Sequence, residues 1–463
     1  MFQQWIASAK ADEPVWLDEV SRACAAADGC APVVLELTLF DGKKRAFTRF
    51  FPSWSSEDER RFVREYLCAC VFNTLSALGG SCLTFYYDLQ NAPLDALIGE
   101  LDGLFRPENA EESGYGKIVR EADRVCAFLG RERFHFARRA LAEYEAQPPV
   151  PRRRAADLAQ TLRTTAACAD TRVCCGVDVG GTDIKLAVAA NGALVCTREY
   201  DWNPAEFPLV QQLIDPILLL TRLMRACAAD HIVNGAIGEG LQAALDKNTP
   251  DAVTLRAVEE AEARLGADIN VLDSVGLSFP DVVVRDAIVG GETPKTHGMR
   301  ANRALDYEAQ FARLTRLASA LEALCRAPGH VRVTNDGNMA AYTAAMELAH
   351  SERAALVQNG VFAHSLGTDL GAGWLNAAGE IPEYSLELYD SIVDLGSWVS
   401  RDYAPDDLRC VRNENSGLCT VRRYLGQAGV FRMAWNAEPA LLDGFTARDG
   451  DKLVIRSAPE DMR

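Results

Sequence analysis

Asp178, Gly180, Gly181, Thr182 and Lys185 fall in one short stretch, VCCGVDVGGTDIKLAVAANG, at residues 173–192. The apolar run over 173–177 reads as a buried strand, the Asp-x-Gly-Gly-Thr segment as a tight turn, and 184–189 as a second strand. Glycine permits positive φ and has no Cβ, so the N–H groups of such a turn can approach an anion closely. Asp178, at a strand end, is placed to hold a hydrated Mg2+ that bridges phosphates, while Thr182 and Lys185 add a hydroxyl and a charge. The stretch is neither a P-loop nor a dinucleotide fingerprint, because G-x-x-x-x-G-K-[ST] and G-x-G-x-x-G are both absent. Taken alone it is equally an ordinary glycine hairpin.

A second loop of the same kind changes that balance. LGTDLGAGWLNAAG (366–379) again has an apolar approach, a Gly/Thr/Asp turn with Gly367, Thr368 and Gly371, and a following strand. Between the two lies VRVTNDGNMAAYTAAMELA, a strand ending in Asn335-Asp336 and running into a helix. A carboxylate at a strand end facing a cleft can accept a proton from an attacking hydroxyl, and Asn335 beside it can hydrogen-bond a neighbouring one. Asn-Asp-Gly is also a favoured helix start, and cap and base are compatible roles.

In this order the three stretches resemble the first phosphate loop, the catalytic aspartate and the second phosphate loop of the actin-like ATPase superfamily. Among its members they are most similar to the ROK sugar kinases and the related polyphosphate glucokinases. GLSFPDVVVRDAIVG (276–290) resembles the G-x-x-x-P-G-x-V segment of those enzymes. The resemblance covers residues 172–435, to within a few positions. It implies an α/β fold of two actin-like, ribonuclease H-like lobes around a cleft, preceded by a separate α+β N-terminal domain. The activity implied is ATP- and Mg2+-dependent phosphoryl transfer to a hydroxyl of a sugar or sugar derivative, with polyphosphate as another conceivable donor. Asp336 would be the base and Asp178 the Mg2+ ligand, through water. Gly180, Gly181, Thr182, Lys185, Gly367, Thr368 and Gly371 would hold the donor phosphates. Asn335, Ser278, Lys295, Thr296, His297, Glu380 and Glu383 would contact the sugar.

Two departures bear on this. Asp369 stands where the family usually has glycine, and a carboxylate beside donor phosphates is unfavourable unless a cation offsets it. Related glucokinases follow the second loop with a Glu-Leu-Gly-His type segment, whereas GEIPEYSLE (379–387) contains no Gly-His. These departures support a rival reading, a non-catalytic sugar sensor or regulatory protein on the same fold. Retention of Asp178, Lys185 and Asp336 opposes it.

The rest of the chain sets the context. At 463 residues the length suggests several domains, and 48% hydrophobic content suits packed globular ones. A net charge of −17 argues against a nucleic-acid surface and mildly against a long polyanionic donor. MFQQWIASAK lacks a basic segment followed by an apolar core, and no apolar run reaches bilayer length, so a cytoplasmic protein without a membrane partner is expected. A homodimer is allowed for. The fourteen cysteines are scattered through apolar stretches without a C-x-x-C, which reads as buried thiols and no structural zinc.

QPPVPRRR (147–154) is the clearest linker. The expected division is therefore an α+β domain over 1–150, a linker and lead-in helix over 151–171, lobe I over 172–290 and lobe II over 291–463. Within 1–150 the pattern predicts a hairpin over 31–51 turning at Asp41-Gly42, helices over 56–78, 94–104 and 118–144, and a strand over 82–87. Further helices are predicted over 208–229, 251–265 and 307–327. The IGEG segment at 237–240 suggests no role.

Overall fold

The computed structural model describes residues 2–109, 115–146, 148, 153–366, 370–404, 406–412 and 419–456. The protein is mixed α/β, and its contacts divide it into two units, one of residues 1–150, 365–372 and 384–463, the other of residues 151–364 and 373–383. Among the described residues, no helix is long and apolar enough to cross a membrane.

In the first unit, helices α1 (Phe2–Lys10) and α2 (Leu17–Ala26) precede the hairpin β1 (Ala31–Thr38) and β2 (Lys44–Phe51). Helix α3 (Glu57–Leu78) opens on a Ser56/Glu59 capping box and stops at Gly79, whose φ is 64°. Then come β3 (Cys82–Tyr87), α4 (Ala92–Leu104), α5 (Tyr115–Phe128) and β4 (His135–Ala140), giving a sheet of order β2-β1-β3-β4. The helix expected over 118–144 therefore ends at Phe128. Gly130 turns the chain at a φ of 67°, and His135–Ala140 pairs in parallel with β3.

The division expected within 291–463 also differs from that observed, because residues 384–463 cluster with 1–150. The reason is hydrogen bonding across a long sequence gap. Asp394 Oδ1 accepts from Val15 N at 2.7 Å, and the Asn73 carboxamide bonds both the N–H and the carbonyl of Ile392, at 2.7 and 2.8 Å. The amides of Leu386 and Glu387 donate to Ala77 and Ser76 at 3.1 and 3.0 Å. Satisfying buried backbone groups in this way ties the N-terminal region to the C-terminal one, so 1–150 is not a separate body.

The second unit begins with α6 (Leu158–Ala167), whose Leu158, Ala159 and Leu162 form an apolar cluster with Ala345, Ala349 and Leu375. Three antiparallel strands follow, β5 (Val173–Val179), β6 (Asp183–Ala190) and β7 (Ala193–Asp201). Helices α7 (Gln211–Asn234), α8 (Glu239–Ala244) and α9 (Asp251–Leu265) lead to β8 (Ser274–Phe279) and a small hairpin, β9 (Val283–Val284) and β10 (Ala287–Ile288). After α10 (His297–Ala301), α11 (Tyr307–Thr315) and α12 (Leu317–Glu322) come β11 (His330–Asn335) and α13 (Asp336–Ala349). The helix expected over 307–327 is thus broken at Arg316. β12 (Val361–Leu366) and β13 (Leu370–Leu375) follow, and the boundary between the two units falls within both strands.

The main sheet of this unit has the order β11-β8-β5-β6-β7, with β8 parallel to β5 and β11 parallel to β8. Its inward rows, such as Cys175, Val177, Leu277 and Val333, pack on α7 residues including Ile217, Leu220 and Met224. Burying each such aliphatic side chain contributes about 1.5–3 kcal/mol. The IGEG segment has a structural role. The buried Asp230 carboxylate accepts from Gly238 N at 2.7 Å and pairs with Arg264 at 2.8 Å, clamping the turn after α7. Burial opposes the charge on Asp230, but Arg264, the Gly238 amide and Asn234 together hold its carboxyl below the ordinary value.

Candidate active site

Parallel pairing brings three strand ends to one edge of the sheet. Asp178 on β5 pairs in register with Ser278 on β8, which pairs with Thr334 on β11, and Phe279 pairs with Asn335. The chain therefore leaves β5 into the first glycine turn, β8 into Pro280-Asp281 and β11 into Asp336, all at the same carboxyl edge. Open α/β sheets place ligands at such an edge.

The first turn is closed by a bond from Gly180 N to Asp183 O at 2.8 Å, and Trp202 Nε1 donates to Gly180 O at 3.1 Å. The N–H groups of Gly181 and Thr182, both in exposed residues, find no acceptor among the described residues. Asp178 is exposed at the strand end. One carboxylate with open solvent around it is the donor set that a largely hydrated Mg2+ accepts, so this position fits that ion. Among the described residues, no group of three or more His, Cys, Asp and Glu is arranged to hold a metal by protein ligands alone.

Asp336 is the first residue of α13. The Asn335 side chain caps this helix, accepting from Gly337 N at 2.9 Å and Asn338 N at 3.4 Å, and its amide donates to Asp281 O at 3.2 Å. Asn335 is thus occupied in positioning Asp336. Solvent reaches one side of Asp336, yet burial pushes its carboxyl above the ordinary carboxylate value. The Gly337 N–H and Lys295 pull it down, and Asp178 pushes it up. Gly373 on β13 lies so close to the start of α13 that a Cβ there would stand 1.9 Å from Gly337 O. Trp374 N also donates to Asn338 Oδ1, at 3.1 Å.

Lys295 enters the site from a short 3-10 turn, Pro294–Thr296. Its Cε and Nζ lie 3.6 and 3.9 Å from the position of a Cβ on Gly181. Lys185 is placed differently. Its ammonium bonds Asp183 Oδ2 at 2.8 Å, and that bond raises its pKa above the ordinary value. It is a paired cation on β6 rather than a free one. Gly367 and Thr368 of the second loop lie outside the described residues; Gly371 falls on β13.

The remaining sugar-contact candidates are dispersed. Thr296 is fully buried and its hydroxyl donates to Thr293 O at 3.0 Å, so it braces its own loop. His297 is exposed at the start of α10. Glu380 pairs with Arg153 at 3.4 Å and Glu383 with Arg285 at 3.8 Å. Both glutamates line a cavity of about 730 Å3 together with Arg285, Asp286, Thr334 and Tyr342. Arg285 and Asp286 were not singled out in the sequence. They form the two-residue turn of the β9–β10 hairpin at φ values of 50° and 65°, where glycine or asparagine is usual. Asp286 Oδ1 accepts from Val333 N at 2.9 Å, pinning that turn to the edge strand.

Ser278 is 2% exposed, and its Oγ has no hydrogen-bond partner among the described residues. In this structure the hydroxyl is closed off from solvent. Leaving a hydroxyl buried and unpaired costs about 1–3 kcal/mol. Ser278→Ala should therefore leave the acceptor KM within about twofold and keep or raise the melting temperature, since the hydroxyl brings a cost and no contact. A KM rise beyond tenfold in steady-state assays would return Ser278 to the substrate.

No protein-family model matches the chain, and no curated protein matches it. Among solved structures it is similar to a ROK hexokinase from Thermus thermophilus, at 16% identity and a TM-score of 0.28, over 57% of this chain and 63% of that one. It is also similar to a protein from Listeria monocytogenes proposed to be an N-acetylmannosamine kinase, at 15% identity and a TM-score of 0.25, over 45% of this chain and 49% of that one. The chain thus spans less than two thirds of either structure. Superposition this loose carries no weight for function, which rests on the geometry of the site.

Proposed function

We propose that the protein is a ROK-type sugar kinase, transferring a phosphoryl group from ATP to a hydroxyl of a sugar or sugar derivative. The observation that carries this reading is Lys295 beside a glycine turn whose Gly181 and Thr182 N–H groups have no acceptor among the described residues, at the sheet edge where the strands bearing Asp178 and Asp336 end. A three-strand meander extended by two parallel strands is also the sheet that a ribonuclease H-like lobe requires.

In this reading the Gly181 and Thr182 amides bind donor phosphate oxygens, and Asp336 accepts the proton of the acceptor hydroxyl as its oxygen attacks. Asn335 acts at one remove, holding Asp336 at the helix start. Mg2+, held through water by Asp178, would neutralise charge on the bridging phosphates. The cavity bearing Glu380 and Glu383 offers carboxylates that hydrogen-bond hydroxyls, next to the segment that carries Asp336. Burial raises the affinity of Asp336 for a proton, which suits a base acting near neutral pH.

The test is ADP release from ATP and Mg2+ across a panel of hexoses, N-acetylated hexosamines and polyols. Turnover with one class supports the kinase and names its acceptor. Silence across the panel, with sugars still raising the melting temperature, overturns it in favour of a sensor.

A further inference from the structure

We propose that Lys295, rather than Lys185, is the cation that grips the donor phosphates at the first glycine turn. This rests on the kinase reading and assigns the cation within it.

Three observations carry the assignment. The Lys295 side chain lies over Gly181, whose N–H is unspent, while Lys185 is already bonded to Asp183 at 2.8 Å. No carboxylate lies within ion-pair distance of the Lys295 ammonium among the described residues, although Asp336 is near enough to feel its charge. The backbone that presents it is braced by hydrogen bonds and close packing. Arg300 Nη1 bonds Gly291 O at 2.9 Å and Thr293 O at 3.0 Å, and the Tyr307 hydroxyl donates to Gly291 O at 2.6 Å. Gly298 abuts Phe207, with 2.6 Å from its Cβ position to the Phe207 carbonyl oxygen. A hydrogen-bonded loop carrying an ammonium beside two amides, none of them with a partner among the described residues, is a preorganised anion site.

During transfer, the acceptor oxygen bonds to the γ-phosphorus as the β–γ bridging P–O bond breaks. The electron pair of that bond leaves on ADP, and the acceptor proton goes to Asp336. Lys295 stays on the non-bridging γ-oxygens throughout, opposing the charge that the Asp178 and Asp336 carboxylates would otherwise impose on them.

Lys295→Met and Lys185→Met are compared by two measurements. In ADP release, Lys295→Met should lower kcat/KM for ATP by about 10²–10³-fold, the usual cost of removing one donor to developing charge. That loss should exceed that of Lys185→Met at least tenfold, and Lys295→Arg should recover part of it because the charge returns. In calorimetry, Mg2+-tripolyphosphate, which has phosphates but no base or ribose, should bind Lys295→Met more weakly than Lys185→Met. Equal losses in the two variants, or a larger loss in Lys185→Met, overturn the assignment while leaving the kinase standing. A wild-type protein that binds tripolyphosphate through Lys295 yet releases no ADP with any acceptor keeps the anion site and overturns the kinase instead.

Discussion

Asp336→Asn should reduce kcat by roughly 10²–10⁴-fold, the range general-base catalysis contributes, and should raise the melting temperature at neutral pH. The two effects share one cause. Burial raises the Asp336 carboxyl pKa in the folded protein, so the folded state holds that proton more tightly than the unfolded chain does. Stability is then greatest below the ordinary carboxylate value and declines as pH rises through the raised one, above which the whole cost remains. Asparagine removes the charge and with it the cost, and its oxygen can still accept from Gly337 N, which Asp336 Oδ1 contacts at 2.8 Å. The stabilising effect should therefore vanish in acid, below the range of an unperturbed carboxylate. For the wild type, kcat/KM should fall on the acid side with a midpoint above that of an ordinary aspartate. The measurements are steady-state ADP release and melting curves at acid and neutral pH. Turnover within tenfold of wild type, or a variant less stable at neutral pH, defeats the assignment of Asp336 as a base with a raised pKa.

Local chemistry made the turns and helix starts legible. Glycines before a strand and an Asn-Asp pair at a strand end act over a few residues, and the structure has a turn or a helix start at each. Contacts across long gaps were not legible. Lys185 and Lys295 look equally basic in sequence; only the structure shows Asp183 occupying one of them and a braced loop presenting the other. Ser278 has the composition of a cleft residue, yet the parallel register lays it between Asp178 and Thr334 with its hydroxyl sealed. The strand at His135–Ala140 reads as helix because its alternation is weak, and parallel pairing with β3 decides its form. The joining of residues 384–463 to the N-terminal region depends on backbone bonds such as those at Asn73 and Asp394, which no local pattern announces.

Gly373→Ala should be more damaging than any other single methyl added in this unit. A Cβ there would meet Gly337 O at 1.9 Å, Gly337 C at 2.2 Å and Asn338 N at 2.4 Å. All three are backbone atoms, so no side-chain rotation relieves the overlap, and β13 and α13 must separate. Overpacking a core usually costs about 1–3 kcal/mol, and with no flexible partner the cost here should reach the upper end. Separation also moves the helix whose first residue is Asp336, and a misplacement near 1 Å can cost about 10²-fold in rate. Gly176→Ala is the control, because nothing lies within 4 Å of its Cβ position. Urea unfolding should show a large loss for Gly373→Ala and little change for Gly176→Ala, with turnover falling in step in the first alone. A Gly373→Ala protein that keeps both stability and rate would mean that this close approach does not hold Asp336 in place. A protein that loses rate while keeping stability would mean that a small shift of α13 suffices to misalign the base.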